Sequence, residues 1–311
     1  MKANHVPGIV TMFVLSLCLL SCLSSPASSV AAHSAGDQRS ITASDVSFNL
    51  VYVPATTFSV YGDSANPTSL STPFWIGETE VTYRLWRTVY DWAIQNGYHF
   101  AHEGTMGDGK GDNNQHPVTT VNWRDCIVWC NAATEWHNAV TGVNGTCVYT
   151  LSGEILRNSN DDTSCDNAEA NPDATGFRLP LSSEWELAAS FIADNNSDGD
   201  ILDEDESTPG DYASGATADY TDAEATGEVA WYEDNSDGGT HEVKGKKANG
   251  LGLYDMSGNV GEWCFDGGGG RRIGRLGTWL YPAEYQQITS KGGGFPPDAL
   301  PYLGFRIVKN R

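Results

Sequence analysis

Gly250-Leu251-Gly252-Leu253-Tyr254-Asp255-Met256-Ser257-Gly258-Asn259-Val260, with Glu262-Trp263 close behind, is the stretch on which the fold turns. Gly250, Gly252 and Gly258 suit turns that need a positive φ or a close backbone approach. Glu262 stands among aromatic and apolar neighbours. The same mixture recurs along the chain, where Glu78, Glu80, Arg178, Glu184 and Arg306 also sit beside aromatics. Charged groups in such surroundings are expected to pair in buried, charge-assisted contacts that hold loops where no sheet does. Their expected role is structural, not catalytic.

Outward from that stretch the chain shows few helices. The apolar positions Leu85, Trp86, Val89, Trp92 and Ala93 predict a helix over Thr82–Gln95. A second is predicted over Trp123–Trp136, with Asn122 as N-cap and Asp125 three residues on. A third starts at Ser183, with Glu186 at the capping-box position. Strands are expected at Val51–Val53, Phe74–Ile76, Val148–Leu151, Gly176–Leu179, Val229–Tyr232 and Phe305–Val308. Long irregular segments separate them, and no linker divides the body into two cores.

Six separated motifs, in order, resemble the formylglycine-generating-enzyme (sulfatase-modifying-factor) family. They are Val51-Tyr52-Val53-Pro54 with Phe58; Phe74-Trp75-Ile76-Gly77-Glu78-Thr79-Glu80-Val81-Thr82; His116-Pro117-Val118 with Val121-Asn122-Trp123; Gly176-Phe177-Arg178-Leu179-Pro180 with Glu184-Trp185-Glu186; the stretch quoted above; and Gly304-Phe305-Arg306-Ile307-Val308. The resemblance implies an α+β, C-type-lectin-like fold of the formylglycine-generating-enzyme type, with short strands and much irregular structure. In the oxidase branch of that family two thiols near the C-terminus hold copper, as soft ligands do. Here no Cys follows Cys264 and no His follows His241. The expectation is therefore no copper and no enzyme activity; the alternatives are that oxidase or a structural envelope protein.

The tail carries something else. Arg275-Leu276-Gly277-Thr278-Trp279 matches a family segment, and Leu280-Tyr281-Pro282, Tyr285, Phe295-Pro296 and Ala299-Leu300-Pro301-Tyr302 follow. Apolar side chains on Pro-broken surface loops mark an interaction site; the alternative is that they pack into the core. The arrangement resembles the variable lipoproteins of diversity-generating retroelements, in which the C-terminal region is rewritten on a fixed scaffold. Leu, Tyr, Pro, Phe and Ala all arise when the adenines of an Asn codon are randomised; Glu284 does not. The resemblance implies a variable region of about residues 264–311. Its ligand-binding positions would be Arg272, Leu276, Thr278, Leu280, Tyr281, Pro282, Tyr285, Phe295, Pro296, Ala299, Leu300, Pro301 and Tyr302. The expected partner is a macromolecule, protein or glycan.

Residues 194–205 read as an EF-hand-like loop. Asp194, Asn196 and Asp198 occupy positions 1, 3 and 5, Gly199 takes the sharp turn, and Asp200 and Asp205 complete the acidic set. Calcium is the expected cofactor there; a solvated acidic loop is the alternative, since position 12 is Asp and no exiting helix is evident.

The chain has 311 residues with 18 Lys+Arg against 40 Asp+Glu, a formal charge of −22, which excludes binding nucleic acid through neutralised phosphates. Ten Trp and 11% aromatic residues exclude disorder. Lys2 followed by the apolar run Ile9–Leu20 reads as a secretory signal, too short to span a bilayer. Leu19-Leu20-Ser21-Cys22 resembles a bacterial lipobox, which implies residues 1–21 as signal and lipid on Cys22. The alternative is a cut further on that discards Cys22. Residues 22–44, rich in Ser and Ala, are expected to tether a body at 45–311 to the bacterial cell envelope, at its outer surface. Of the other cysteines, Cys126 and Cys130 read as small buried hydrophobes. A bridge between Cys147 and Cys165 is left open.

Overall fold

A computed structural model describes residues 1–2, 33–58, 68–107, 112–191 and 208–310. Residues 3–21 of the signal segment, Cys22 and the acidic loop 194–205 lie outside them. Met1–Ala32 and His33–Arg311 are separate units, and only the second is described further. In chain order that unit carries β1 (Gln38–Ala43), β2 (Val46–Val53), β3 (Thr56–Phe58), β4 (Thr68–Leu70), β5 (Phe74–Gly77), α1 (Tyr83–Ala93) and α2 (Trp123–Thr141). Next come β6 (Tyr149–Leu151), β7 (Glu154–Ile155), α3 (Asp162–Asp166), β8 (Glu169–Ala170), β9 (Phe177–Arg178), α4 (Ser182–Ala189) and α5 (Ala223–Val229). The C-terminal part holds β10 (Gly261–Gly268), β11 (Arg271–Arg275), β12 (Lys291–Gly294), β13 (Leu303–Gly304) and β14 (Val308–Asn310). No helix among the described residues is long and apolar enough to cross a membrane.

The main sheet has the order β1-β2-β5-β14-β9, all antiparallel, so strands from both ends of the unit share it. Its period of two separates two cores. Leu50, Tyr52 and Trp75 face a core with Trp86 of α1 and Trp129 of α2, whose rings stack at 5.7 Å and 6°. Val51, Val53, Phe74 and Ile76 face another, with Trp185 and Leu187 of α4 and Leu251, Leu253 and Met256 of the glycine-rich loop.

Local rules set the helices. Thr82 caps α1 by accepting from Leu85 N–H at 3.2 Å. At α2, Asn122 Oδ1 accepts from Asp125 N–H at 2.7 Å and Asp125 Oδ2 from Asn122 N–H at 3.1 Å, the expected reciprocal box. Gly142, at φ 76°, ends it.

Four expectations are corrected and one open question is answered. Residues 38–43 are not tether: they form β1, because Ile41 and Ala43 bury their side chains against the main core. The third helix begins one residue earlier, and its box residue is Glu184, which accepts from Leu181 N–H at 2.8 Å. Val229–Tyr232 is the end of α5 and a loop, since α5 buries Ala225, Thr226 and Val229 on one helical face. Phe305–Ile307 joins β13 to β14 instead of being strand, because its carbonyls are taken outside any ladder, by Val81 N–H at 2.9 Å and Gly77 N–H at 2.8 Å. Cys147 and Cys165 are free; their thiols donate to Asn131 O at 3.5 Å and Asn158 O at 3.4 Å. Cys126 and Cys130 are fully buried in the core as expected.

Candidate ligand-binding site

The quoted stretch is the frame on which the tail hangs. Gly258 holds φ 84°, and a Cβ there would meet Trp231 backbone atoms at 2.5 Å. Gly252 has the same φ, whereas Gly250 needs no positive φ. Asn259, next along, accepts Trp279 N–H on its carbonyl at 2.8 Å and so pins the tail loop to the scaffold.

Arg306 stitches this frame together. Its guanidinium pairs with Glu262 at 2.7–2.9 Å and donates to Gly77 O at 3.0 Å, Tyr254 O at 3.1 Å and Asp255 O at 3.2 Å. Arg178 forms the other expected pair, doubly bonded to Glu184 at 2.6 and 2.7 Å. Glu78 pairs with Lys244. Glu80 departs from the expectation: it is buried, and neither carboxylate oxygen meets a hydrogen-bond donor. Burial, then the nearby Asp255, pushes its pKa well above the carboxylate range. Asp255, also buried, is pushed up to about 6, mainly by burial. A buried pair that the sequence did not announce, Arg275–Glu186 at 2.8 Å, ties β11 to α4.

The second sheet, in the order β12-β11-β10-β13, presents a cleft of about 240 Å³. Its floor is Gly261 and Trp263 of β10, Gly274 of β11 and Gly292 and Gly294 of β12. Two of these glycines leave no room for a side chain: a Cβ on Gly294 would lie 2.4 Å from the Trp263 ring, and one on Gly292 2.9 Å from Leu276. Leu276, Tyr281, Leu300 and Tyr302 form the walls, with Asp298 at the edge. Leu300 and Tyr302 rest on the main core on one side and line the cleft on the other. Tyr281 and Tyr302 have ring centroids 5.5 Å apart, and a hydrogen bond between their hydroxyls, with burial, pushes Tyr302 up to about 12. Tyr302 is therefore neutral at physiological pH.

The other expected positions divide. Leu280, Tyr285 and Phe295 are exposed, at 39%, 40% and 47%. Tyr285 lies 5.2 Å from Tyr281 between ring centroids. Pro301 is exposed, and Pro282 and Ala299 are half-buried. Thr278 is fully buried, with its hydroxyl accepting from Leu280 N–H at 3.1 Å, yet it also lines the cleft. Two expectations fail. Pro296 is buried, with its carbonyl taken by Trp123 N–H at 3.2 Å. Arg272 is held away from the cleft, 3.9 Å over the Trp123 ring and donating to Asp166 O at 2.8 Å.

Two contributors went unread. Gln286 is fully buried, and its amide donates to Thr278 O, Tyr281 O and Pro282 O at 3.0–3.2 Å, clamping the loop that carries Tyr281. A single Gln in a polar run gives no signal of that. The glycine floor did leave one, in the Gly292-Gly293-Gly294 run. All five described cysteines have thiols pushed up by burial, Cys147 and Cys165 to about 12. Among the described residues no cluster of three or more His, Cys, Asp or Glu side chains is placed to hold a metal.

Residues 41–311 match the sulfatase-modifying factor enzyme 1-like domain. The chain belongs to the sulfatase-modifying factor family. A chaperone protein, LppX, of Paenibacillus barcinonensis is 30% identical over 300 residues, covering 86% of this chain and 91% of that protein. Among solved structures, Treponema denticola variable protein 1 superposes with a TM-score of 0.67 at 28% identity, over 88% of this chain and 99% of its own. CarF gives 0.59 at 25%, covering 85% and 98%. PvdO from Pseudomonas aeruginosa, at 0.51 and 16% over 90% and 100%, shares the fold. This sulfatase-modifying-factor domain thus has the α+β, C-type-lectin-like architecture that its motifs implied.

Proposed function

We propose that this protein is a lipid-anchored display protein of a bacterial cell envelope, and not an enzyme. In this reading its C-terminal loops recognise a macromolecule, protein or glycan, and a retroelement rewrites them. One observation carries the reading. Leu276, Tyr281, Leu300 and Tyr302, from separate parts of the tail, share one cleft over a floor of glycine. Tyrosine gives large contact area at low entropic cost. Buried partners outside the cleft walls, Gln286 and Arg275 among them, hold the loops, so wall residues can change without unmaking the frame. The solved variable protein at 28% identity supports the same reading. Copper oxidation lacks its thiol pair, since no Cys follows Cys264. Lipid on Cys22 and calcium at Asp194, Asn196, Asp198, Asp200 and Asp205 belong to the proposal.

The test is binding of the full-length protein to arrays of surface proteins and glycans, beside Y281A/F295A/Y302A. Wild type should bind members of the array. The triple variant should lose them while its Tm stays within a few degrees. Wild-type levels of binding by the triple variant, or turnover of a Cys-containing peptide by copper-loaded wild type, would overturn the reading. The relative named as a chaperone favours a second one, in which the cleft holds unfolded chain. Suppression of aggregation of a denatured client by wild type, and not by the triple variant, would support that instead.

A further inference from the structure

In a chain of charge −22, one pocket of about 270 Å³ is lined by Arg39, His137 and Lys309 and by no acidic residue. The sheet register explains the convergence. Arg39 pairs with Leu50, and Tyr52, Trp75 and Lys309 follow in line across β2, β5 and β14. Alternation puts Arg39, Leu50, Tyr52, Trp75 and Lys309 on one face, the face that α2 covers. His137, in the last turns of α2, comes down on the same space, 5.8 Å edge-on to Phe177 between centroids. Lys309 Nζ lies 5.6 Å over that Phe177 ring.

The cations are not there to cap the helix. The carbonyl of Asn138 accepts Gly142 N–H at 2.9 Å and that of His137 accepts the Thr141 hydroxyl at 2.6 Å. Lys309 donates to Thr175 O, a neutral partner. Among the described residues no carboxylate pairs with Arg39, His137 or Lys309. They repel one another instead. Lys309 is pushed down to about 8 by burial and then by Arg39, and His137 is pushed below its ordinary value by burial, Lys309 and Arg39. At neutral pH the pocket therefore holds two cations and a neutral imidazole able to donate one N–H.

We infer that this pocket is a second binding site, distinct from the cleft, for a tetrahedral dianion: inorganic sulfate or phosphate, or a phosphate monoester group carried on a small molecule. Two positive charges match a dianion, and convergent donors in an acid-free concavity are what such recognition needs. No other side chain lining the pocket titrates. Sulfate keeps its charge between pH 7 and pH 9, so its affinity reports the protein's protons alone.

The experiment titrates full-length protein with sodium sulfate, sodium phosphate and, as ionic-strength control, sodium chloride, following the His137 imidazole by NMR. Sulfate should move those signals saturably, and about tenfold more weakly at pH 9 than at pH 7 as Lys309 loses its proton. R39Q and K309M should each weaken binding about tenfold or more, with thermal unfolding in the absence of sulfate little changed. Phosphate tighter than sulfate at pH 8 assigns a phosphoryl group; the reverse order assigns inorganic sulfate. Signals that respond to neither dianion, that respond equally to chloride, or that titrate identically in K309M would overturn the site.

Discussion

Asp255→Asn isolates what the buried carboxylates do to stability. Asp255 is buried, and its Oδ1 meets no donor, while Oδ2 accepts Lys244 N–H at 2.8 Å. A rise from an ordinary 3.8 to about 6 makes the folded state hold a proton that the unfolded chain releases. Stability from such a group is full below about pH 4 and lost as pH climbs through 6. The loss is on the order of 3 kcal/mol above that window. Glu80 is shifted in the same direction, so it adds to the slope. An Asn amide keeps the bond from Lys244 and tolerates the φ of 55° at this position. It also removes the like charge facing Glu80. Thermal unfolding of wild type and D255N from pH 4 to pH 8 is the assay. The two should melt together at pH 4. At pH 8 the variant should be more stable by roughly 6–12 °C, taking about 2–4 °C per kcal/mol for a domain of this size. A difference that stays flat with pH, or a variant less stable than wild type at pH 8, would refute the reasoning.

Gln286→Ala removes three carbonyl partners from the 278–282 loop. It should cost about 1–3 kcal/mol and speed amide exchange within that loop while α2 stays protected. Trp129→Ala empties the stack between Trp86 and Phe305 and should cost about 3–5 kcal/mol by chemical denaturation. Alkylation of unreduced, denatured protein followed by peptide mapping should find Cys147 and Cys165 each modified as free thiols; a linked peptide pair would contradict the structure.

Much of the scaffold was legible because its rules are short-ranged. The Asn122–Asp125 box and the Thr82 cap need only residues three apart. The expectation of buried pairs held for Arg178–Glu184 and Arg306–Glu262 because charge among aromatics must be compensated. Glu80 broke it, since the same pattern cannot say which of several carboxylates the arginine will choose. Val229–Tyr232 misled for a related reason: a short apolar run fits a strand or a helix end equally well. In the tail, exposure could be expected for Phe295 and Leu280, but not burial for Thr278 and Pro296, whose carbonyls meet Gln286 and Trp123 only because the loop folds back.

By itself the sequence determined the chemistry on hand: a charge of −22, no thiol after Cys264, glycines where the backbone must turn or pass closely, and apolar periods that call up the helices. Those are properties of residue types and of neighbours a few positions apart. Tertiary structure alone decided which distant groups meet. Arg306 reaches Gly77 across 229 positions, β14 inserts between β5 and β9, and Arg39, His137 and Lys309 are gathered over one sheet face. Such meetings depend on strand order and register, which are fixed by the packing of both cores at once and leave no local trace in the chain.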